Sequence, residues 1–483
     1  MIKNNFNRYK TRINNIIVFN ILTIVFIIPS NIFPQVIKQW VVRYNGSTSL
    51  GSGNPDKADA IVVDNLGNAY VTGNSWYPET NTDIVTIKYN AFGEQQWLAK
   101  YNGPENSEDY GVKIVIDDLG NTYVTGYRWI TGTGREYDYV TIKYNQYGIE
   151  QWSAIYNGDG NSEDKATSIC TDVFNNVYVT GSSYVNNNER DYCTIKYDSN
   201  GMQQWINKFD AGSDDDNAVD IAADNQGNVY VTGSGGGYGT GSGYDYVTIK
   251  INFYGNIQWI SKYNGTANWS DTACAISIDD SGNVYVTGSS FGSENNVESY
   301  TDYVTIKYNN DGIQQWVSRY NGPGNYWDNA YAMILDNFGN VYVTGGSDGL
   351  YGYSTFYDYA TIKYNNNGIQ QWIARYNGPG NDWDQATAIA LDNFENIYVT
   401  GWIDYTGLGA YDYCTIKYNK NGEQQWVDIY NGTGNFLDDA EAIATDKWGN
   451  VYVTGTSWGK NTGDDYLTIK YSAYKFSELF SLY

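Results

Sequence analysis

From Gln39 onward the chain repeats itself. A Gln-Trp pair recurs with tryptophan at positions 40, 97, 152, 205, 259, 316, 372 and 426, at spacings of 53 to 57 residues. A period of that length makes each unit one supersecondary element that buries its apolar surface only against its neighbours. One copy displays the whole unit: Gln371–Gly378, Asp384–Asp392, Asn396–Gly401 and Asp412–Tyr418. Each piece is a short β-branched or alternating run bounded by turn residues, so the unit reads as four strands. Asp-x-x-Gly-Asn joins the second piece to the third, as at Asp336–Asn340, where glycine supplies the positive φ of a tight hairpin. Asn175 and Glu395 replace that glycine in two copies, and Glu395 is expected to be strained.

Four antiparallel strands repeated eight times predict an all-β protein, a single eight-bladed β-propeller, because radial closure leaves few exposed sheet edges. The repeat region begins with a lone tryptophan strand, Gln39–Gly46, and ends on Asp465–Tyr471, a unit without one. The N-terminal strand is therefore expected to complete the last blade. The predicted organisation is a secretory signal over residues 1–34, the propeller over 35–473 and a short tail over 474–483. Four basic residues, no acid and the apolar run Ile16–Ile28 carry the first assignment. Thirteen residues are too few to span a bilayer, so no transmembrane segment is expected in the mature chain.

The elements Asp-x-x-Gly-Asn-x-Tyr-Val-Thr-Gly and Asp-Tyr-x-Thr-Ile-Lys-Tyr-Asn resemble the SBBP β-propeller repeat of secreted bacterial proteins, over roughly residues 39–473. The resemblance implies the propeller and an exported, extracellular or cell-surface protein. It implies little about activity, because that family is defined by its scaffold.

Composition narrows the function. The chain has no histidine among 483 residues, which removes imidazole bases, histidine-dependent triads and zinc ligation through nitrogen. Its net charge is -25, and about -29 without the first 34 residues, which argues against nucleic acid. Three aspartates recur in every copy. The first (Asp56, Asp109, Asp164, Asp216, Asp271, Asp328, Asp384, Asp438) opens the second piece and would form an acidic ring at the channel mouth if that strand is innermost; its expected role is structural. Such a ring could hold Ca²⁺, but no Asp-x-Asp-x-Asp-Gly loop is present, so no cofactor or metal is expected. The second aspartate starts the hairpin turn and is the expected partner of the repeated Thr-Ile-Lys lysine. The four cysteines stand where other copies have small apolar residues, so no disulfides are expected.

Binding is expected where the copies differ. Seven tryptophans outside the Gln-Trp pairs map to the variable end. With Phe436 they make a candidate aromatic arc: Trp76, Trp129, Trp269, Trp327, Trp383, Trp402, Phe436 and Trp458. Glu108, Glu163, Asp214 and Asp215 give the opposite arc an acidic character. Aromatic platforms suit sugar rings or extended peptides. The expected function is a monomeric, non-catalytic binding scaffold for a polysaccharide or a surface protein, with no catalytic residues. The alternatives are a carboxylate-dependent glycosidase or lyase, and a purely structural surface protein.

Overall fold

In a computed structural model the described residues are 36–46, 55–131, 135–159, 162–185, 189–212, 214–236, 243–294, 297–349, 356–405 and 409–472. The predicted signal and tail lie outside them. The described chain forms eight sheets of four antiparallel strands. Blades I to VII are built from consecutive strands. In blade VI these are Asp328–Leu335, Val341–Asp348, Tyr357–Tyr364 and Gln370–Tyr376, from the axis outward. The first strands pack against one another in a closed ring of eight, so they are innermost.

Blade VIII takes three strands from the C-terminal end and its fourth, Lys38–Tyr44, from the N-terminal end. Trp40 there pairs with Lys470, the same register in which Trp97 pairs with Lys88 in blade I. The expected closure is what the chain does.

Each innermost strand carries one extra residue, a β-bulge, at Asp59, Val112, Thr167, Val219, Cys274, Tyr331, Thr387 or Glu441. The bulge explains the invariant glycine of Tyr-Val-Thr-Gly. A Cβ on Gly345 would overlap the Asn329 carbonyl oxygen, and one on Gly73 that of Lys57. In the hairpin turns Asn175 and Glu395 do adopt positive φ, at 61° and 60°.

The repeated aromatics join blade to blade. Seven of the eight Gln-Trp indoles lie over the outer-turn glycine of the next blade and donate to a carbonyl there, as from Trp316 to Asn366 (2.9 Å) and from Trp40 across the closing seam to Ala91 (3.1 Å), while Trp426 packs on Tyr471 of the closing blade. Six third-strand tyrosines add a bond to the next blade, among them Tyr359 to Cys414 (3.2 Å) and Tyr466 to Val85 (3.2 Å). All four cysteines are free.

Candidate functional site

The repeated aspartates are spent on the scaffold. Asp336 is typical of the turn set. Its Oδ1 accepts the Phe338 and Asn340 amides (both 2.9 Å), and its Oδ2 accepts the Asn340 side chain (2.7 Å) and the Tyr342 hydroxyl (3.1 Å). With both oxygens filled, no turn aspartate is ion-paired with a Thr-Ile-Lys lysine among the described residues. That expectation is corrected. The lysines sit over the tyrosine rings instead (Lys363 at 4.8 Å from the Tyr342 centroid), and Lys143 and Lys470 donate to carbonyls of the next blade at Ser199 (2.8 Å) and Ala91 (2.9 Å).

The first aspartate set does not line an open mouth. Asp56, Asp109, Asp164, Asp216, Asp271, Asp328, Asp384 and Asp438 are 0–3% exposed. They accept backbone amides of the loop entering their blade, as Asp328 does from Gly322 (2.6 Å) and Asp109 from Gly103 (2.6 Å). Burial pushes Asp109 and Asp384 up to about 7, and Asp56 and Asp328 to about 6. The third set faces them across each seam and has a cation in most blades: Arg43 on Asp465 (2.9 Å), Lys100 on Asp83 (2.6 Å), Arg319 on Asp302 (2.6 Å) and Arg375 on Asp358 (2.9 Å). In blade VII that position is Ile429, opposite Cys414. Asp412 is driven up to about 7 by burial and by the neighbouring carboxylates of Asp438 and Asp404.

Asp191, Asp210 and Asp216 form the one group of three potential metal-ligating side chains among the described residues, with ligand atoms within 4.8 Å of one another. Asp216, however, already accepts the Ala211 and Gly236 amides.

The variable face rests on a repeated turn. Asn106, Asn268, Asn325, Asn381 and Asn435 hold φ of 49–58° at the same place in the loops entering blades II, V, VI, VII and VIII. Asparagine tolerates that left-handed conformation. The two residues that follow vary: Trp269 in blade V, Tyr326 and Trp327 in blade VI, Trp383 in blade VII, Phe436 in blade VIII.

Five rings run without a break across blades V and VI. Trp269 contacts Phe291 (centroids 5.5 Å apart), Phe291 contacts Trp327 (5.7 Å), Trp327 contacts Tyr300 (5.2 Å), and Tyr300 stacks on Tyr326 (3.6 Å). Trp269 (46% exposed), Trp383 (43%) and Phe436 (49%) are open to solvent. Trp76, Trp129, Trp327, Trp402 and Trp458 are half-buried, and four of them pack on a neighbouring ring (Trp129 on Tyr137, Trp327 on Phe291 and Tyr300, Trp402 on Tyr411, Trp458 on Phe436). The arc is thus a ladder at blades V and VI with separate platforms beyond it. The acidic arc opposite is partly neutralised, since Glu163 pairs with Lys165 and Arg190 (both 2.5 Å) and its carboxyl lies below the usual range.

A second group escaped sequence reasoning because ring closure creates it. The bulge residues Asp59 of blade I and Glu441 of blade VIII share one ammonium, Lys57, at 3.5 and 2.7 Å. Asp59 also accepts from Asn74 (3.0 Å), and burial raises its carboxyl to about 7. Burial and Glu441 raise Asp439 beside them. The only sequence signal was that acids stand at the bulge positions of blades I and VIII, where the other copies have the uncharged Val112, Thr167, Val219, Cys274, Tyr331 and Thr387.

A family model for the SBBP β-propeller repeat matches residues 204–239 and 426–461. Both spans start in a fourth strand and run into the next blade, and the six other units have the same four-strand plan. Two units of this eight-bladed propeller match the SBBP repeat.

Among curated proteins, an uncharacterized WD repeat-containing protein of Acanthamoeba polyphaga mimivirus is 21% identical over 457 residues. The match takes in 77% of this chain but only 31% of that relative, so the chain spans about a third of its length. Among solved structures, an ulvan lyase of a polysaccharide lyase family is 11% identical with a TM-score of 0.41, covering 92% of this chain and 99% of that one. The β-propeller domain of the trilobed protease from Pyrococcus furiosus is 6% identical with a TM-score of 0.43, covering 77% and 97%. At these values the likenesses say nothing about what this propeller does. No helix among its described residues is long and apolar enough to cross a membrane.

Proposed function

We propose that this propeller is a non-catalytic binding scaffold, exported to the cell surface or beyond, whose loop face takes a polysaccharide along blades V and VI. The observation that carries the reading is the five-ring ladder from Trp269 to Tyr326, with Trp269, Tyr326 and Trp327 on loops of one repeated geometry and Phe291 and Tyr300 on the strands between them. Rings fixed in a row offer successive sugar faces a large contact area at little conformational cost. Titration of a polysaccharide panel by calorimetry tests it. Trp269→Ala is expected to weaken the best ligand at least tenfold while leaving the melting temperature unchanged, and unchanged affinity rejects the ladder as the site.

A second reading has its own observation. Asp59 and Glu441, both on Lys57, are two carboxylates of different environment within about 6 Å, a separation compatible with acid/base work on a glycosidic bond. Release of oligosaccharides from the same panel, abolished in Asp59→Asn, would favour an enzyme over a scaffold.

A further inference from the structure

The face opposite the ladder, where the short hairpin turns lie, carries a feature that the fold does not require. At the turn position before the glycine, or its Asn175 or Glu395 substitute, six consecutive blades expose a large apolar side chain. These are Phe338 (VI, 68% exposed), Phe394 (VII, 65%), Trp448 (VIII, 46%), Leu66 (I, 70%), Leu119 (II, 71%) and Phe174 (III, 59%). In blades IV and V the same position holds Gln226 and Ser281, whose amides bond the turn aspartate (2.9 and 3.0 Å) just as those of Phe338 and Leu66 do (2.9 and 2.8 Å). Polar residues therefore serve the turn equally well. The apolar choice is confined to one arc.

The arc is continuous through its middle. The Phe394 ring lies over Gly449, beside Trp448; the Trp448 ring lies over Gly67, beside Leu66; and Leu66 and Leu119 line one cavity of about 380 Å³. The four adjoining side chains present roughly 500 Å² of apolar surface, toward the upper end of the ~300–600 Å² of the largest patch on a typical monomer, and the whole arc of six presents roughly 800 Å². It is also about what one partner contributes to a standard stable interface.

We propose that this crescent is the interface of a homodimer, two propellers meeting short-turn face to short-turn face. Among closed assemblies a twofold dimer is the commonest, and it covers a self-complementary patch on both copies at once. The crescent is centred on the seam between blades VIII and I. A twofold axis along that seam would set Trp448 against Leu66 of the second copy, Phe394 against Leu119, and Phe338 against Phe174. Both ladder faces would point outward, so the pair could bind two ligand chains.

Sedimentation equilibrium of the full chain from 0.5 to 100 µM tests the proposal. A monomer–dimer equilibrium is expected, weakened at least tenfold in Leu66→Asp with Phe394→Asp. Tyr405→Asp, at an exposed site on the loop face opposite the crescent, serves as the control and should leave the equilibrium unchanged. Thermal unfolding of each variant checks that it folds. A monomer at every concentration, or a dimer as tight in the double variant as in the parent, would overturn it.

Discussion

Among the described residues, Asp412 is the one member of its repeated set whose cation position holds an apolar residue with no cation paired to the aspartate from elsewhere, Asp138 in blade II being served by Arg128 (3.4 Å). Ile429→Arg, copying Arg375 of the preceding blade, should stabilise the protein by about 1 kcal/mol at pH 8, the value of one charged hydrogen bond less the cost of burying the guanidinium. The gain should vanish near pH 5, where Asp412 is protonated in the folded state. Denaturant titrations at the two pH values check both statements. Individual residues were legible in the sequence only where a position is copied eight times. The turn aspartates, the positive φ at Glu395 and the free cysteines follow from such copying. The lysine partner did not, because the Tyr-Val-Thr-Gly tyrosine that takes up the turn carboxylate also lies beneath the ammonium. Tyr300 and Tyr326 were hidden for another reason: in a chain with 49 tyrosines two more give no contrast, whereas the loop tryptophans stand out.

At the scale of the blade, the bulge in the innermost strand is the element that constrains the sequence most. Gly345→Ala forces a Cβ into the Asn329 carbonyl and should cost about 2–4 kcal/mol in chemical unfolding, against a few tenths for an exposed change such as Asn337→Ala. The seams between blades set the pH response. Burial raises their aspartates above the ordinary value near 4, with Asp56 and Asp328 at about 6 and Asp109, Asp384 and Asp412 at about 7 in the folded state. Between those values the folded state holds more protons, so unfolding free energy falls as pH rises through about 4 to 7 and levels off above. Melting temperature should therefore be higher at pH 5 than at pH 8, and a rise from pH 5 to pH 8 would contradict the buried carboxylate pairs. Strand number and order were readable from period and turn chemistry. The bulge was not, because a single inserted residue leaves the alternation of a seven- or eight-residue strand nearly intact, and Asp59 and Glu441 are residues so inserted.

For the whole molecule, the decisive contact is between the two ends of the repeat region. If the seam between blades VIII and I is equivalent to the others, Trp40→Ala should cost the same as Trp316→Ala, about 3–5 kcal/mol for a packed indole. Denaturant unfolding of the two variants compares them, and a much smaller loss at Trp40 would mean that the ring stands open there. Pairing Val42 with Thr468 closes a loop of more than 400 residues. The chain entropy of such a closure is about 5 kcal/mol, roughly twice that of joining neighbouring strands, and it is repaid only once every intervening blade is in position. The ring's first strand thus waits for its last, and until then blade VIII offers a bare sheet edge at Gly463–Tyr471 to any other chain. Maturation of this ring is a race between its own N-terminal strand and a neighbour's, and chain concentration during folding decides which strand wins.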